Sequence, residues 1–141
     1  MKLFDTHAHI GLIYDDPIEQ LRVIQQAKLA GVARIMSINN SLMDFEKVYN
    51  NLKAMPGIYH AVGVAPSEVT NPGADWINTI EKALELPRVV AVGETGLDYY
   101  KEFAKIGGID VIIGGHDHNE TDRWEISDRG EPVKIVATGK T

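Results

Sequence analysis

Two pairs of histidines carry the clearest signs of chemistry in this sequence. His7 and His9 lie in LFDTHAHIG at residues 3–11, and His116 and His118 lie in VIIGGHDH at residues 111–118. Each pair ends an apolar run typical of a strand, where side chains two positions apart share one face. Two imidazoles on one rigid segment can therefore bind a divalent metal. The alternative for either pair is a polar segment whose histidines only face solvent.

Glu94 follows another apolar run, in VVAVGETGLD at residues 89–98. The nearby glycines would allow a metal or a second backbone segment to approach closely. A carboxylate at this position could bridge two cations and help to activate a shared water. The alternative is a glutamate in a solvated loop. Asp98, four residues further on, is more typical of a helix cap than of a ligand.

The remaining candidates for chemistry are weaker. His60 lies inside an apolar run and is interpreted as a core or interface histidine whose hydrogen bonds are satisfied. Trp76 and Trp124 are interpreted as packing residues, and Asp117 is expected to be exposed. The acids of the ETD segment at residues 120–122 could supply a carboxylate ligand, although acidic loops commonly occur without a metal.

The hydrophobic pattern alternates between strands and helices. Asp16 and Ser41 are placed to cap the first two helices, which end near Gly31 and at Pro56-Gly57. A third helix is predicted over 74–86, and a short fourth helix follows residue 98. The predicted strands span 3–10, 33–38, 58–64, 89–94 and 109–115.

Apolar strands that alternate with amphipathic helices indicate a parallel sheet covered by helices. After residue 120 the pattern becomes antiparallel, because DRWEI and PVKIVATG flank a turn at SDRGE. We therefore predict one α/β domain over 1–141: an open parallel sheet of about five strands with flanking helices and a C-terminal β-hairpin. Ligands of such sheets bind beyond the C-terminal strand ends, where His7, His9 and Glu94 lie.

Composition limits the classes of function. The chain has 141 residues, a net charge of −6 and a pI near 5.3, and it contains no cysteine. An acidic chain lacks the basic surface that binds nucleic-acid phosphates non-specifically, although metal-assisted cleavage of nucleic acid remains open. Thiolate zinc sites, disulfides and cysteine nucleophiles are excluded. With no signal peptide or membrane-length apolar stretch evident, a cytoplasmic protein is expected, without a membrane partner.

Residues 1–100 resemble the N-terminal part of the TatD-type metal-dependent hydrolases, deoxyribonucleases with a TIM-barrel fold in the amidohydrolase superfamily. The resemblance rests on FDTHAH at 4–9, AVGVAP at 61–66 and AVGETGLDYY at 91–100. It implies that His7 and His9 bind one metal and that Glu94 bridges two. The family pattern has a histidine where Ala65 stands, and the family's later strands, with two further histidines and an aspartate, are absent.

Residues from about 104 to 141 resemble a different family, the calcineurin-like metallophosphoesterases of the 5′-nucleotidase kind. The resemblance rests on GIDVIIGGHDH and PVKIVATGKT. It implies that His116 and His118 are metal ligands. The two resemblances together predict an engineered or recombined chimera, with TatD-like βα units over 1–98 and a metallophosphoesterase-like segment over 108–141; a natural truncated relative is the alternative.

Three interpretations are compatible with these patterns. In the first, His7, His9, Glu94, His116 and His118 hold one or two divalent cations (zinc, manganese, nickel or magnesium), and the protein hydrolyses phosphoester bonds in small molecules or nucleic acid, with Glu94 as the catalytic carboxylate. In the second, the chain is a folded chimera without activity and with at most adventitious metal binding. In the third, the chain is a fragment that becomes active only through a partner or a swapped subunit.

The length of the chain also bears on its oligomeric state. A full barrel takes about 250 residues, so half a barrel predicts a homo-oligomer, such as a dimer, that buries the exposed inner face of the sheet.

Overall fold

The computed structural model describes residues 2–39, 41–68, 70–95, 100–114 and 121–137, of which residues 100–102, 113, 114, 121 and 137 are described by their backbone alone. The described segments form one seven-stranded sheet with helices between the strands. The strands are β1 (Leu3–Ala8), β2 (Val32–Ile38), β3 (Ile58–Val62), β4 (Val89–Val92), β5 (Val111–Gly114), β6 (Thr121–Ile126) and β7 (Pro132–Ala137). The helices are α1 (Ile10–Ile13), α2 (Pro17–Leu29), α3 (Leu42–Leu52), α4 (Trp76–Leu84) and α5 (Tyr100–Lys105), with a 3₁₀ turn at Pro66–Glu68.

The sheet has the strand order β1-β2-β3-β4-β5-β7-β6. Strands β1 to β5 are parallel, and each of the first four pairs with its successor. Strand β7 is parallel to β5, whereas β6 pairs with β7 in the antiparallel direction and forms the edge. This confirms the predicted α/β fold with a mostly parallel open sheet. The predicted hairpin is β6–β7, and it extends the sheet instead of lying apart from it.

The helix boundaries follow local capping chemistry. The carboxylate of Asp16 accepts a hydrogen bond from the backbone N–H of Ile18 at 2.8 Å, and Pro17 occupies the first helical position of α2. Ser41 Oγ accepts a hydrogen bond from the N–H of Asp44 at 3.1 Å at the start of α3. The four-residue helix α1 was missed by the pattern, because a single turn is too short to show helical periodicity.

One face of the sheet is covered by helices α2 to α5. The strand residues on this face are registered side by side, as in Ile35 with Ile58 and Ile112 with Ile135. They pack against buried helix residues, among them Ile24 of α2 and Phe103 of α5. Burial of one apolar face against helices is the main stabilising contribution in such a layered fold.

The opposite face of the sheet has no covering layer among the described residues, and we call it the open face. Phe4, Met36, Val90 and Val111 lie on it and line a cavity of about 770 Å³.

The two tryptophans differ in their environment. The predicted packing role of Trp124 is wrong, because this residue is 62% exposed. Edge strand β6 projects Trp124 to the open face, where the Lys134 ammonium lies 5.0 Å from its ring. Trp76, in contrast, packs edge-on against a buried phenylalanine, as predicted.

The junction between β4 and β5 is the narrowest in the sheet. In the described chain these two strands are registered at Val92 and Ile112 alone, whereas β5 and β7 share four register pairs. The buried side chains beneath the junction nevertheless form a continuous core, because Val62, Val92, Ile112 and Ile135 belong to one cluster. No helix in the described ranges is long and apolar enough to cross a membrane.

Candidate metal centre

Three of the predicted site residues converge at the C-terminal edge of the sheet. His7 lies near the end of β1, His9 directly follows it, and Glu94 follows β4. The Nε2 atoms of His7 and His9 are 2.9 Å apart. A carboxylate oxygen of Glu94 lies 3.8 Å from His7 Nε2 and 3.6 Å from His9 Nε2. The carboxyl ends of parallel strands thus bring two imidazoles and a carboxylate to one point.

Strong curvature of the sheet is needed for this convergence. Strands β1 and β4 are separated by β2 and β3, and three interstrand spacings amount to about 14 Å in a flat sheet. The side chains of His7 and Glu94 nevertheless approach to 3.8 Å. A single cavity is lined both by Phe4 of β1 and by Val111 of β5. The sheet therefore curls around its open face as an arc of a barrel does.

Gly63 determines where the Glu94 backbone can lie. A methyl group at Gly63 would be 2.6 Å from the carbonyl oxygen of Glu94 and 3.0 Å from the carbonyl carbon of Gly93. The N–H of Gly93 also donates a hydrogen bond to the carbonyl of Val62 at 3.0 Å. Only glycine fits between β3 and this segment, so Gly63 is a positioning residue for Glu94. Reasoning from residue chemistry missed it, although it lies inside the AVGVAP segment.

Helix α1 fixes the backbone of His9. The carbonyl of His9 accepts hydrogen bonds from the N–H groups of Leu12 and Ile13, at 3.2 and 3.1 Å. Gly11 lies so close to the side chain of Val48 in α3 that a Cβ atom there would clash. On the strand side, the N–H of His7 donates to an Asp5 carboxylate oxygen at 3.1 Å. Both histidines are therefore held by local contacts on either side of the strand end.

The three donor atoms suit a divalent transition metal. Ligand atoms about 2.1 Å from a tetrahedral ion lie roughly 3.4 Å from one another. The three separations found here are 2.9, 3.6 and 3.8 Å, which bracket that value. Two imidazole Nε2 atoms at 2.9 Å attract each other only when a proton or a cation lies between them. The donor set therefore fits a metal bound by two nitrogens and one carboxylate oxygen.

The site is open to solvent at His7 and is buried around His9 and Thr95. The side chain of His7 is 55% exposed, and that of Glu94 is 28% exposed. Nδ1 of His9 and Oγ1 of Thr95 are buried without a hydrogen-bond partner among the described residues. Glu94 and Thr95 both line the cavity of the open face. A ligand therefore has access from the His7 side.

His60 differs from the prediction in one respect. It is fully buried, as expected of a core histidine, and it packs edge-on against Phe45 and Tyr49. Neither of its ring nitrogens has a hydrogen-bond partner in the described part of the chain, so the expectation of satisfied hydrogen bonds is wrong. Burial and, to a smaller extent, the nearby Arg88 guanidinium together lower the pKa of His60 to about 4. His60 therefore stays neutral in the core.

Several other predicted residues do not join the cluster or lie outside the described chain. Ala65, at the position where the TatD pattern has a histidine, is buried and offers no ligand atom. Asp122 of the ETD segment pairs with Lys134 instead of reaching the site. The predicted ligands His116 and His118 fall outside the described residues, as do Asp98, Asp117 and Glu120.

Comparison with known proteins assigns the family. The model of the family described as TatD related DNase matches residues 4–106, which is more than half of the chain. The chain belongs to the TatD family. The resemblance of residues 1–100 is thereby confirmed. The second resemblance, of residues from about 104 to 141, remains a prediction.

The relatives that the chain resembles are considerably longer. It is 32% identical over 99 residues to the uncharacterized metal-dependent hydrolase YabD of Bacillus subtilis, covering 70% of this chain and 38% of that protein. It is 26% identical over 137 residues to the uncharacterized metal-dependent hydrolase TatD of Mycobacterium tuberculosis, covering 94% of this chain and 50% of the relative. The chain thus spans at most half the length of these relatives. The second alignment runs through nearly the whole chain, including most of the segment predicted to come from another family.

Two further comparisons bear on activity and fold. The 3′-5′ ssDNA/RNA exonuclease TatD of Pantoea vagans is 25% identical over 87 residues, which cover 61% of this chain and 34% of that protein. The crystal structure of YJJV, a TatD homologue from Escherichia coli, superposes with a TM-score of 0.66 at 23% identity, covering 80% of this chain and 50% of that one. The structural likeness supports the fold.

Proposed function

We propose that this chain is a metal-dependent hydrolase that cleaves phosphoester bonds, with nucleic acid or a small phosphodiester as its substrate. The observation that carries the proposal is the convergence of His7, His9 and Glu94, whose donor atoms lie within 4.8 Å of one another. Membership of the TatD family supports the same chemistry, since relatives are named metal-dependent hydrolases or 3′-5′ ssDNA/RNA exonucleases.

The three side chains have different roles in such a site. His7 and His9 would supply imidazole nitrogens, and Glu94 would supply a carboxylate oxygen that partly offsets the charge of a divalent cation. A metal bound there would polarise a phosphoryl oxygen and make water a better nucleophile. Glu94 has a second carboxylate oxygen, which can accept a hydrogen bond or a proton from an attacking water. The exposed side of His7 leaves room for a phosphodiester to approach.

The predicted participation of His116 and His118 remains part of the proposal. Strand β5 ends at Gly114, at the same C-terminal edge of the sheet as β1 and β4. The described end of β5 therefore lies at the edge of the sheet where the cluster lies. A second nitrogen pair would raise the ligand number from three to five and would allow two cations.

A cleavage assay tests the proposed activity. The substrates are a labelled single-stranded oligodeoxynucleotide and bis-p-nitrophenyl phosphate, each with Mg²⁺, Mn²⁺ or Zn²⁺. We expect metal-dependent cleavage that falls by about a hundredfold or more in Glu94→Gln. Glu85→Gln is the matched control, because Glu85 is an exposed glutamate at the end of α4. Cleavage that persists unchanged in Glu94→Gln would contradict the proposal.

An inactive fold is the second candidate, and one observation favours it. The TatD pattern places a histidine where Ala65 is buried here, so the substrate side of the site lacks one polar group. In that case metal binds to His7, His9 and Glu94, but neither substrate is cleaved with any of the three cations. The same assay therefore separates the two candidates once metal binding is established.

A further inference from the structure

The open face of the sheet is apolar and has no covering layer among the described residues. Parallel sheets occur almost entirely with both faces covered. In this chain helices cover one face, while Val90 on the other face remains 55% exposed. The cavity of about 770 Å³ on this face is far larger than the voids that protein interiors tolerate. The described chain leaves it open to water.

The open face also carries an apolar projection. Trp124 and Ile126 lie on edge strand β6, and both are more than 60% exposed. Their register partners on β7 are Lys134 and Pro132, and Lys134 is in turn the partner of Val111 on β5. Because registered residues share a face, the projection and the cavity belong to the same side of the sheet.

We propose that a second copy of this chain covers the open face, with Trp124 and Ile126 of each copy seated in the half of the other's cavity that Phe4, Val90 and Val111 line, so that the strand ends at His7 and Glu94 stay open to substrate. A two-fold interface requires one surface that carries both halves of the contact. The open face meets this requirement, because the cavity lined by Phe4, Met36 and Val90 and the projection on β6 lie on the same chain.

The area available matches that of a stable dimer. The exposed parts of Phe4, Val90, Val111, Trp124 and Ile126 amount to on the order of 500 Å² of apolar surface. A standard interface buries about 800 Å² per partner. Because interfaces are about 57% apolar, roughly 450 Å² of that area is apolar surface, which the exposed side chains of this face can supply. Lys134 on this face is paired with Asp122, so each charge is partly offset by the other.

The mass of the full chain in solution tests the proposal. Light scattering during size exclusion is expected to give twice the 15.6 kDa of one chain. Val90→Lys places a charge in the covered cavity and is expected to halve the mass. Met43→Lys is the matched control, because Met43 is 91% exposed on α3, away from the sheet, and this variant should remain dimeric. A wild-type monomer at every concentration, or a dimer that Met43→Lys disrupts and Val90→Lys does not, would overturn the proposal.

A second measurement avoids any folding defect of Val90→Lys. The sequence has no cysteine, so Val90→Cys and Met43→Cys each introduce a single thiol, with little change in volume at position 90. The rate of maleimide modification at position 90 is expected to fall at least tenfold as protein concentration rises through the dimerisation range, while the rate at position 43 stays constant. Equal, concentration-independent rates at both positions would overturn the proposal.

Discussion

At the scale of single residues, the site depends on three side chains and on one glycine. His7 and His9 come from one segment, so their spacing alone indicated a shared face. The approach of Glu94 to within 4 Å of both Nε2 atoms could not be predicted from the positions of these residues in the sequence. It depends on the path of four strands and on the space that Gly63 leaves for the Glu94 backbone.

His60 makes the folded state sensitive to acid. Its pKa is about 4 in the folded protein and 6.5 in an unfolded chain, so the unfolded state binds more protons between these values. Stability from this residue is therefore complete above about pH 6.5 and is lost as the pH falls towards 4. We expect a loss of about 2 kcal/mol between pH 7 and pH 5.

Urea unfolding at the two pH values measures this effect. The matched variant is His60→Leu. It places an apolar side chain of similar size next to Phe45 and Tyr49, and this side chain cannot titrate. The difference in unfolding free energy between pH 7 and pH 5 should be about 2 kcal/mol smaller in this variant. An identical pH dependence in both proteins would contradict a neutral, buried His60.

At the scale of elements, much of the fold could be predicted from sequence pattern and capping residues. The strands β1 to β5 and the helices α2 to α4 lie where periodicity, Asp16, Ser41 and Pro56-Gly57 placed them. Helix α1 and the joining of β7 to β5 could not be predicted. A single helical turn has no periodicity to detect, and strand neighbours in a sheet depend on long-range packing that a local pattern does not contain. The exposure of Trp124 has the same origin, because it follows from the edge position of β6.

Gly63→Ala tests the contact between β3 and the segment after β4. The added methyl group forces the Glu94 backbone away from its position, so affinity for Zn²⁺ should fall by about tenfold or more, with a stability loss of about 1–3 kcal/mol. Gly130→Ala is the control, because its φ of +77° makes alanine strained while a Cβ atom there meets nothing within 4 Å. This control should lose stability and keep its metal affinity. Equal metal affinities in both variants would show that Gly63 does not position Glu94.

At the scale of the whole molecule, the predicted single domain contains a narrow junction between β4 and β5. Strands β4 and β5 share one register pair, but the core beneath them includes Val62 and Val92 on one side and Ile112 and Ile135 on the other. The sheet also keeps the curvature of a barrel arc, which the sequence could not reveal because curvature arises from packing between strands and helices. The continuous core predicts cooperative unfolding of both parts.

The two tryptophans report on the two sides of this junction. Trp76 precedes it on α4 and Trp124 follows it on β6. We expect the single-tryptophan variants Trp76→Phe and Trp124→Phe each to show one urea transition, whose fluorescence midpoint coincides with that of its own circular dichroism. If the Trp124 signal in Trp76→Phe is lost at lower urea than the helical signal, residues 108–141 form a separate unit. Coincident transitions would establish one domain.

Metal affinity tests most directly whether His7, His9 and Glu94 together hold a divalent metal. Titration of the metal-free full chain with Zn²⁺ in a calorimeter should show tight binding of at least one equivalent. His9→Ala should weaken the cluster's binding by at least tenfold, because about a third of the donor set is lost, and Glu85→Gln should leave it unchanged. The absence of Zn²⁺ binding by the folded wild-type chain, or equal affinity in His9→Ala, would show that these three residues do not form a metal site.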